Sequence, residues 1–193
     1  MRYIPYHIML MSIYALIALP IILLARQIYR KKTGTRITQP RETILVLFFV
    51  YLTALLACTV LPYVQLNASG WHFITKVHES GVHPIPFAVF SHIVTDIRGG
   101  NGWRGFWINF IGNIFVFVPY GFLLPYLWGC STGKTVLYGA LLSLTIEILQ
   151  LFLPRITDID DLLLNTLGAF LGAWLFILWK KHKGDVPHGQ KTV

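Results

Sequence analysis

The sequence predicts an all-α, polytopic membrane helical bundle of about five transmembrane helices, with an extracellular interfacial amphipathic helix beside them. Three observations carry that expectation. Of 193 residues, 55% are hydrophobic and 12% charged, with a mean hydropathy of +0.61, more apolar surface than a water-soluble domain of this length easily hides. Several stretches reach the ~20 apolar residues that a spanning helix needs. The Lys and Arg residues lie between and after those stretches, which is the signature of membrane topology. On a soluble protein a net charge of +8 would suggest nucleic acid. Here the placement excludes that partner and makes the lipid bilayer the expected one.

Five segments qualify as spans, at about residues 6–25, 43–64, 106–128, 135–153 and 161–179, each near the length that ~1.5 Å per residue requires for a ~30 Å hydrocarbon core. Between the first two lies "RQIYRKKTGTRITQPR" and after the last comes "KKHKGDVPHGQK", with six and four basic residues. Both are expected on the cytoplasmic side. An odd number of spans then puts the N-terminus outside and the C-terminus inside. The first segment has only Arg2 ahead of it and a heavily basic stretch behind, the reverse of signal-peptide polarity.

The outer stretch from Gln65 to Gly105 is too polar to span. Within it, Phe87, Phe90, Ile93, Val94 and Ile97 recur at helical spacing between Pro86 and "GGNG", which predicts the interfacial helix. His72, His78, His83 and His92 lie here too, at intervals that match no zinc pattern, so no metal site is expected among them.

Ionisable groups at membrane depth cost several kcal/mol unless they face the bundle interior or a water-filled cavity. Glu147 therefore requires a reason, and its helix supplies one: Gly139, Ser143, Glu147 and Gln150 share one stripe, two small residues beside two polar ones. The last span repeats the design with Asp161, Asn165, Gly168 and Gly172, and the third offers Asn109 and Asn113 before Pro119. Gly139, Ser143, Gly168 and Gly172 are the expected helix-packing positions.

Alternating topology puts all three polar pairs in the outer part of the bilayer. Glu147 lies about 9 Å below Leu153 and Asn165 about 6 Å below Asp161 by helical rise. The expected site is a polar pocket of Asn109, Asn113, Glu147, Gln150, Arg155, Asp158, Asp161 and Asn165, roofed by "PRITDIDD". A plainer reading makes Asp158, Asp160 and Asp161 a helix cap and first-turn acids favoured by the dipole, and Glu147 and the asparagines interhelical hydrogen-bonding groups. No cofactor is expected; the "D-x-D-D" run, with Glu147, is of a kind that holds a divalent cation.

"NFIGNIFVFVPYGF", "EILQ" and "RITDIDDLLLNTLG", in that order, resemble the VanZ-like family of membrane proteins over about Thr43 to Trp179. The resemblance implies a VanZ-like membrane domain (43–179); hydropathy and charge add an N-terminal transmembrane helix with a basic cytoplasmic loop (1–42), which resembles nothing in particular, and a basic cytoplasmic tail (180–193). Family members often carry an N-L-I-P-F-type segment before the third span, where this chain has His83 and Pro84 in "HPIPF". The resemblance also implies a contribution to resistance against teicoplanin, a lipid-tailed glycopeptide that acts outside the membrane.

Two readings of the site stand side by side. In one, the pocket engages a lipid-linked cell-wall precursor or the lipoglycopeptide itself, with amides and Arg155 binding sugar or phosphate. In the other, the protein is an intramembrane enzyme in which Glu147 acts as general acid or base on a lipid-linked substrate, with Asp158 and Asp161 orienting it. A small transporter is disfavoured, because the polar stripes stop halfway through the helices.

Overall fold

A chain surrounded by lipid must satisfy its backbone hydrogen bonds within each segment, and the α-helix does so. The computed structural model describes residues 3–34, 39–60, 64–67, 70–73, 82–83, 110–153 and 157–184. Among them are five helices: α1 (Tyr3–Thr33), α2 (Gln39–Val60), α3 (Gly112–Trp128), α4 (Thr132–Leu151) and α5 (Ile159–Gly184). All but α3 are long and apolar enough to cross a membrane. The 17 residues of α3 rise about 25 Å, the lower end of the spanning range. The predicted interfacial helix lies outside the described residues.

Two helices run past their apolar cores. The sequence placed the end of the first span near residue 25, yet α1 continues through Arg30, Lys31 and Lys32 to Thr33. Arg, Lys and Gln are good helix formers, and cations in a last turn complement the negative end of the helix dipole. Gly34 then adopts φ +63°, and its N–H donates to the Arg30 carbonyl at 3.0 Å. Similarly α5 ends on Lys181, His182 and Lys183, with the Lys183 ammonium 4.7 Å from the Trp179 ring centroid. The described part of α2 runs to Val60, just ahead of Pro62, whose ring disfavours helix at the residue before it.

The chain forms two compact units, one of Met1–Pro86 with Leu144–Ile159 and the other of Phe87–Ser143 with Asp160–Val193. In the first unit α1 and α2 pack antiparallel, with Leu45, Val46, Phe48, Ala54, Leu55 and Ala57 of α2 buried. Arg26, near the end of α1, donates from Nε and Nη2 to the two carboxylate oxygens of Glu42, near the start of α2, both at 2.9 Å. Beyond α2, strands β1 (Val64–Asn67) and β2 (Gly70–Phe73) form an antiparallel hairpin. Strand β3 (Val82–His83) pairs in parallel with β4 (Thr157–Asp158).

In the second unit α3 and α5 run parallel. Gly168 of α5 meets the Ile114 carbonyl and Phe117, and Gly172, one turn on, meets the Val118 carbonyl and Gly121. Phe122 packs edge-on against Phe176 at 5.7 Å and Tyr126 against Trp179 at 5.7 Å. Each step of a turn on one helix is matched by a step in the same direction on the other. The first half of α4 packs antiparallel to α5: Gly139 meets Ala169, and Ser143 meets Asn165. A Cβ at Gly168, Gly172 or Gly121 would collide with backbone of the facing helix, so only glycine permits this approach. Two caps fix the α3–α4 turn. Gly129 closes α3 at φ +66° with its N–H on the Pro125 carbonyl at 2.9 Å, and the Ser131 hydroxyl accepts from the Lys134 N–H at 3.5 Å.

Replacing Gly172 by Leu is expected to destabilise the detergent-solubilised protein by at least the ~1–3 kcal/mol typical of overpacking. Gly133→Ala, where an added Cβ meets nothing, leaves thermal stability unchanged or higher. Thermal unfolding of both variants followed by circular dichroism checks the contrast.

Candidate functional site

Each polar stripe lies on a helix whose remaining surface is apolar and open, as at Leu141, Leu144, Ile148, Leu163, Leu167 and Phe170. Along α4 the buried residues are Thr135, Gly139, Ser143, Ile146, Glu147 and Gln150, a single face at intervals of three and four. Along α5, Asp160, Leu164, Asn165, Gly168, Ala169, Gly172 and Ala173 are buried.

The first unit holds one polar cluster. Gln150 donates from Nε2 to the carbonyl of Thr59 at 2.9 Å. That carbonyl lies in the last turn of α2, where no helical N–H follows to satisfy it. The Gln150 Oε1 is buried and has no hydrogen-bond partner among the described residues. One turn earlier, the Glu147 carboxylate, 6% exposed, accepts the backbone N–H of Asp158 at 3.2 Å. Asp158 itself pairs through β4 with His83 of β3, so the chain after α2 and the chain between α4 and α5 are joined by backbone at these residues. No short-range pattern in the chain points to this non-local pairing.

The second unit holds the other cluster. Asn113, in the first turn of α3, donates from Nδ2 to the Asp161 carboxylate in the first turn of α5. Parallel packing is what lets two helix starts meet in this way. One turn further along α5, Asn165 donates from Nδ2 to the Ser143 hydroxyl of α4 at 2.9 Å, and both side chains are buried. Ser143, expected only as a small packing residue, thus also serves as an acceptor. Asp160, 3% exposed, is buried in that first turn rather than solvated.

Asn109 and Arg155 lie outside the described residues, so the predicted site residues placed by the structure are Asn113, Glu147, Gln150, Asp158, Asp161 and Asn165. Among the described residues no three His, Cys, Asp or Glu side chains gather as metal ligands would. What the clusters offer chemically is buried carboxylate and amide groups, fixed by at least one hydrogen bond each, within helices otherwise built for lipid.

The family profile of VanZ/LLP1 matches residues 48–180. The chain belongs to the VanZ/LLP1 family. The matched region runs from within α2 to near the end of α5 and contains both polar clusters, while α1 lies wholly outside it. Protein VanZ of Enterococcus faecium is 39% identical over 74 residues, which cover 37% of this chain and 46% of that protein. The match therefore spans about half the length of that relative. No solved structure is similar to the chain.

A double-mutant cycle on Asn113→Ala and Asp161→Ala is expected to give a coupling energy of about 1.5–3 kcal/mol, as for hydrogen bonds to charged groups. The same cycle on Ser143→Ala and Asn165→Ala gives about 0.6 kcal/mol, the average for neutral interhelical bonds in membranes. Thermal unfolding in detergent measures both.

Proposed function

We propose that this VanZ/LLP1 membrane protein contributes to resistance against teicoplanin-type lipoglycopeptides, through an outward-facing polar site that engages a lipid-linked or cell-wall-related ligand. The observation that carries the reading is the Gln150–Glu147 pair. A buried acceptor left without a donor costs about 1–3 kcal/mol, and Gln150 Oε1 is such an acceptor, three residues from a buried carboxylate on the same helix face. A sugar hydroxyl or an amide N–H from a ligand would satisfy it. Family membership and the partial match to Protein VanZ support the resistance context. The basic ends of α1 and α5 support a cytoplasmic C-terminus, which turns the α4–α5 connection outward.

The burial of Glu147 favours a second reading, in which this carboxylate transfers a proton to or from a lipid-linked substrate. One experiment separates the two. The wild type, Glu147→Gln and Gln150→Ala are expressed at matched levels in a susceptible Gram-positive host, and growth is titrated with teicoplanin and vancomycin. The wild type is expected to raise the tolerated teicoplanin concentration several-fold and leave vancomycin unchanged. Gln150→Ala loses that protection. Glu147→Gln, which keeps shape and hydrogen bonding, retains it if the site binds and loses it if the site catalyses. Equal protection against both drugs, or none at verified expression, contradicts the proposal.

A further inference from the structure

The first helix lies outside the family match, and its contact with α2 contains a feature that the polar clusters leave unexplained. At the basic end of the α1–α2 pair an open groove of about 420 Å³ is floored by Leu19, Leu23, Val46 and Leu47 and headed by Arg26, Gln27 and Arg30. A second hollow of about 410 Å³ continues it past Gln27, Arg30 and Lys31 to Gly34. Among the described lining residues, three cations, Arg26, Arg30 and Lys31, against one carboxylate, Glu42, give a net charge of +2.

The two ends of the groove differ in chemistry, and the difference fits one kind of molecule. Glu42 is buried and holds the Arg26 guanidinium through two hydrogen bonds, so Arg26 is both neutralised and fixed in position. Arg30 and Lys31 are exposed beside it, free to close on an anion. Gly34, where an added Cβ would meet nothing, leaves the upper hollow open. Below them Leu19, Leu23 and Leu47 present 36%, 50% and 57% of their surface, which in a bilayer is surface offered to an acyl chain. From Leu19 to Arg30 the helix rises about 16 Å, close to the ~15 Å depth of one hydrocarbon leaflet.

We infer that the α1–α2 groove is a binding site for an anionic phospholipid, whose phosphate is held by Arg30 and Lys31 and whose acyl chain lies along Leu19, Leu23 and Leu47. A soluble anion would use only the cationic end; the leaflet-length apolar floor commits the site to a lipid. The inference does not depend on the resistance reading.

Native mass spectrometry of the purified full-length protein tests it, with phosphatidylglycerol and phosphatidylcholine of identical acyl chains supplied together. The wild type is expected to retain phosphatidylglycerol several-fold over phosphatidylcholine. Arg30→Ala with Lys31→Ala abolishes that preference, whereas Lys180→Ala with Lys181→Ala, at the basic end of α5, keeps it. Leu47→Trp, which fills the apolar floor, weakens retention without altering charge and serves if the double variant fails to fold. Equal retention of the two lipids by the wild type overturns the inference, as does an unchanged preference in the Arg30/Lys31 variant. Retention of glycerol phosphate as strong as that of the full lipid also overturns it, because the site would then be one for a free anion.

Discussion

The constraint on which the second unit depends is the backbone-to-backbone approach of α3 and α5. Lipid tails are as apolar as leucine, so no hydrophobic force holds membrane helices together; close van der Waals contact and polar bonds must do it. Gly168, Gly172 and Gly121 supply the contact, each set directly against a carbonyl or Cα of the facing helix. Glycine in a helix is about 1 kcal/mol less favourable than alanine, and the continuous contact offsets that cost. Because the two helices run in the same direction, their first turns lie at one end, and Asn113 reaches Asp161. A glycine pattern at the centre of the helices thereby decides which polar groups meet at their ends.

Polar side chains in this protein follow one rule. Among the described residues four carboxylates or amides at least half-buried take a partner from a second element: Arg26 for Glu42, the Asp158 amide for Glu147, Asn113 for Asp161 and Ser143 for Asn165. Removing one partner leaves the other group without its bond, at a cost larger for the Arg26–Glu42 ion pair than for the neutral Ser143–Asn165 bond, so these bonds help fix register. Gln150 departs from the rule with half of its amide. Its donor nitrogen binds the Thr59 carbonyl in the last turn of α2, and its oxygen has no partner among the described residues.

Much of this was legible in the sequence because helices in lipid write their burial plainly. The Gly139–Ser143–Glu147–Gln150 and Asp161–Asn165–Gly168–Gly172 stripes follow from a period of 3.6 residues, and the number of apolar segments from the length of the apolar runs. The extents of α1 and α5 were under-read, since apolarity marks the lipid core and not the basic turns that extend beyond it. The Arg26–Glu42 bond was missed because its partners are sixteen residues apart, across what the sequence presented as a loop. The β1–β2 hairpin and the β3–β4 pairing involve stretches too short for periodicity to register, and the latter joins residues far apart in the chain. Asn109, Arg155 and the amphipathic segment at 86–98 lie outside the described residues, so the predicted pocket was placed only in part.

The central claim, parallel and glycine-mediated contact of α3 with α5, is tested most directly by paired thiols in native membranes. In a background with Cys58 and Cys130 replaced by serine, Phe122→Cys with Phe176→Cys is treated with a short bis-maleimide, beside Ile114→Cys with Phe176→Cys, a pair offset by about 12 Å along the axis. The account predicts efficient intramolecular crosslinking of the first pair and little of the second. The opposite pattern would show the helices to be antiparallel or out of register, and the meeting of Asn113 with Asp161 would then not exist.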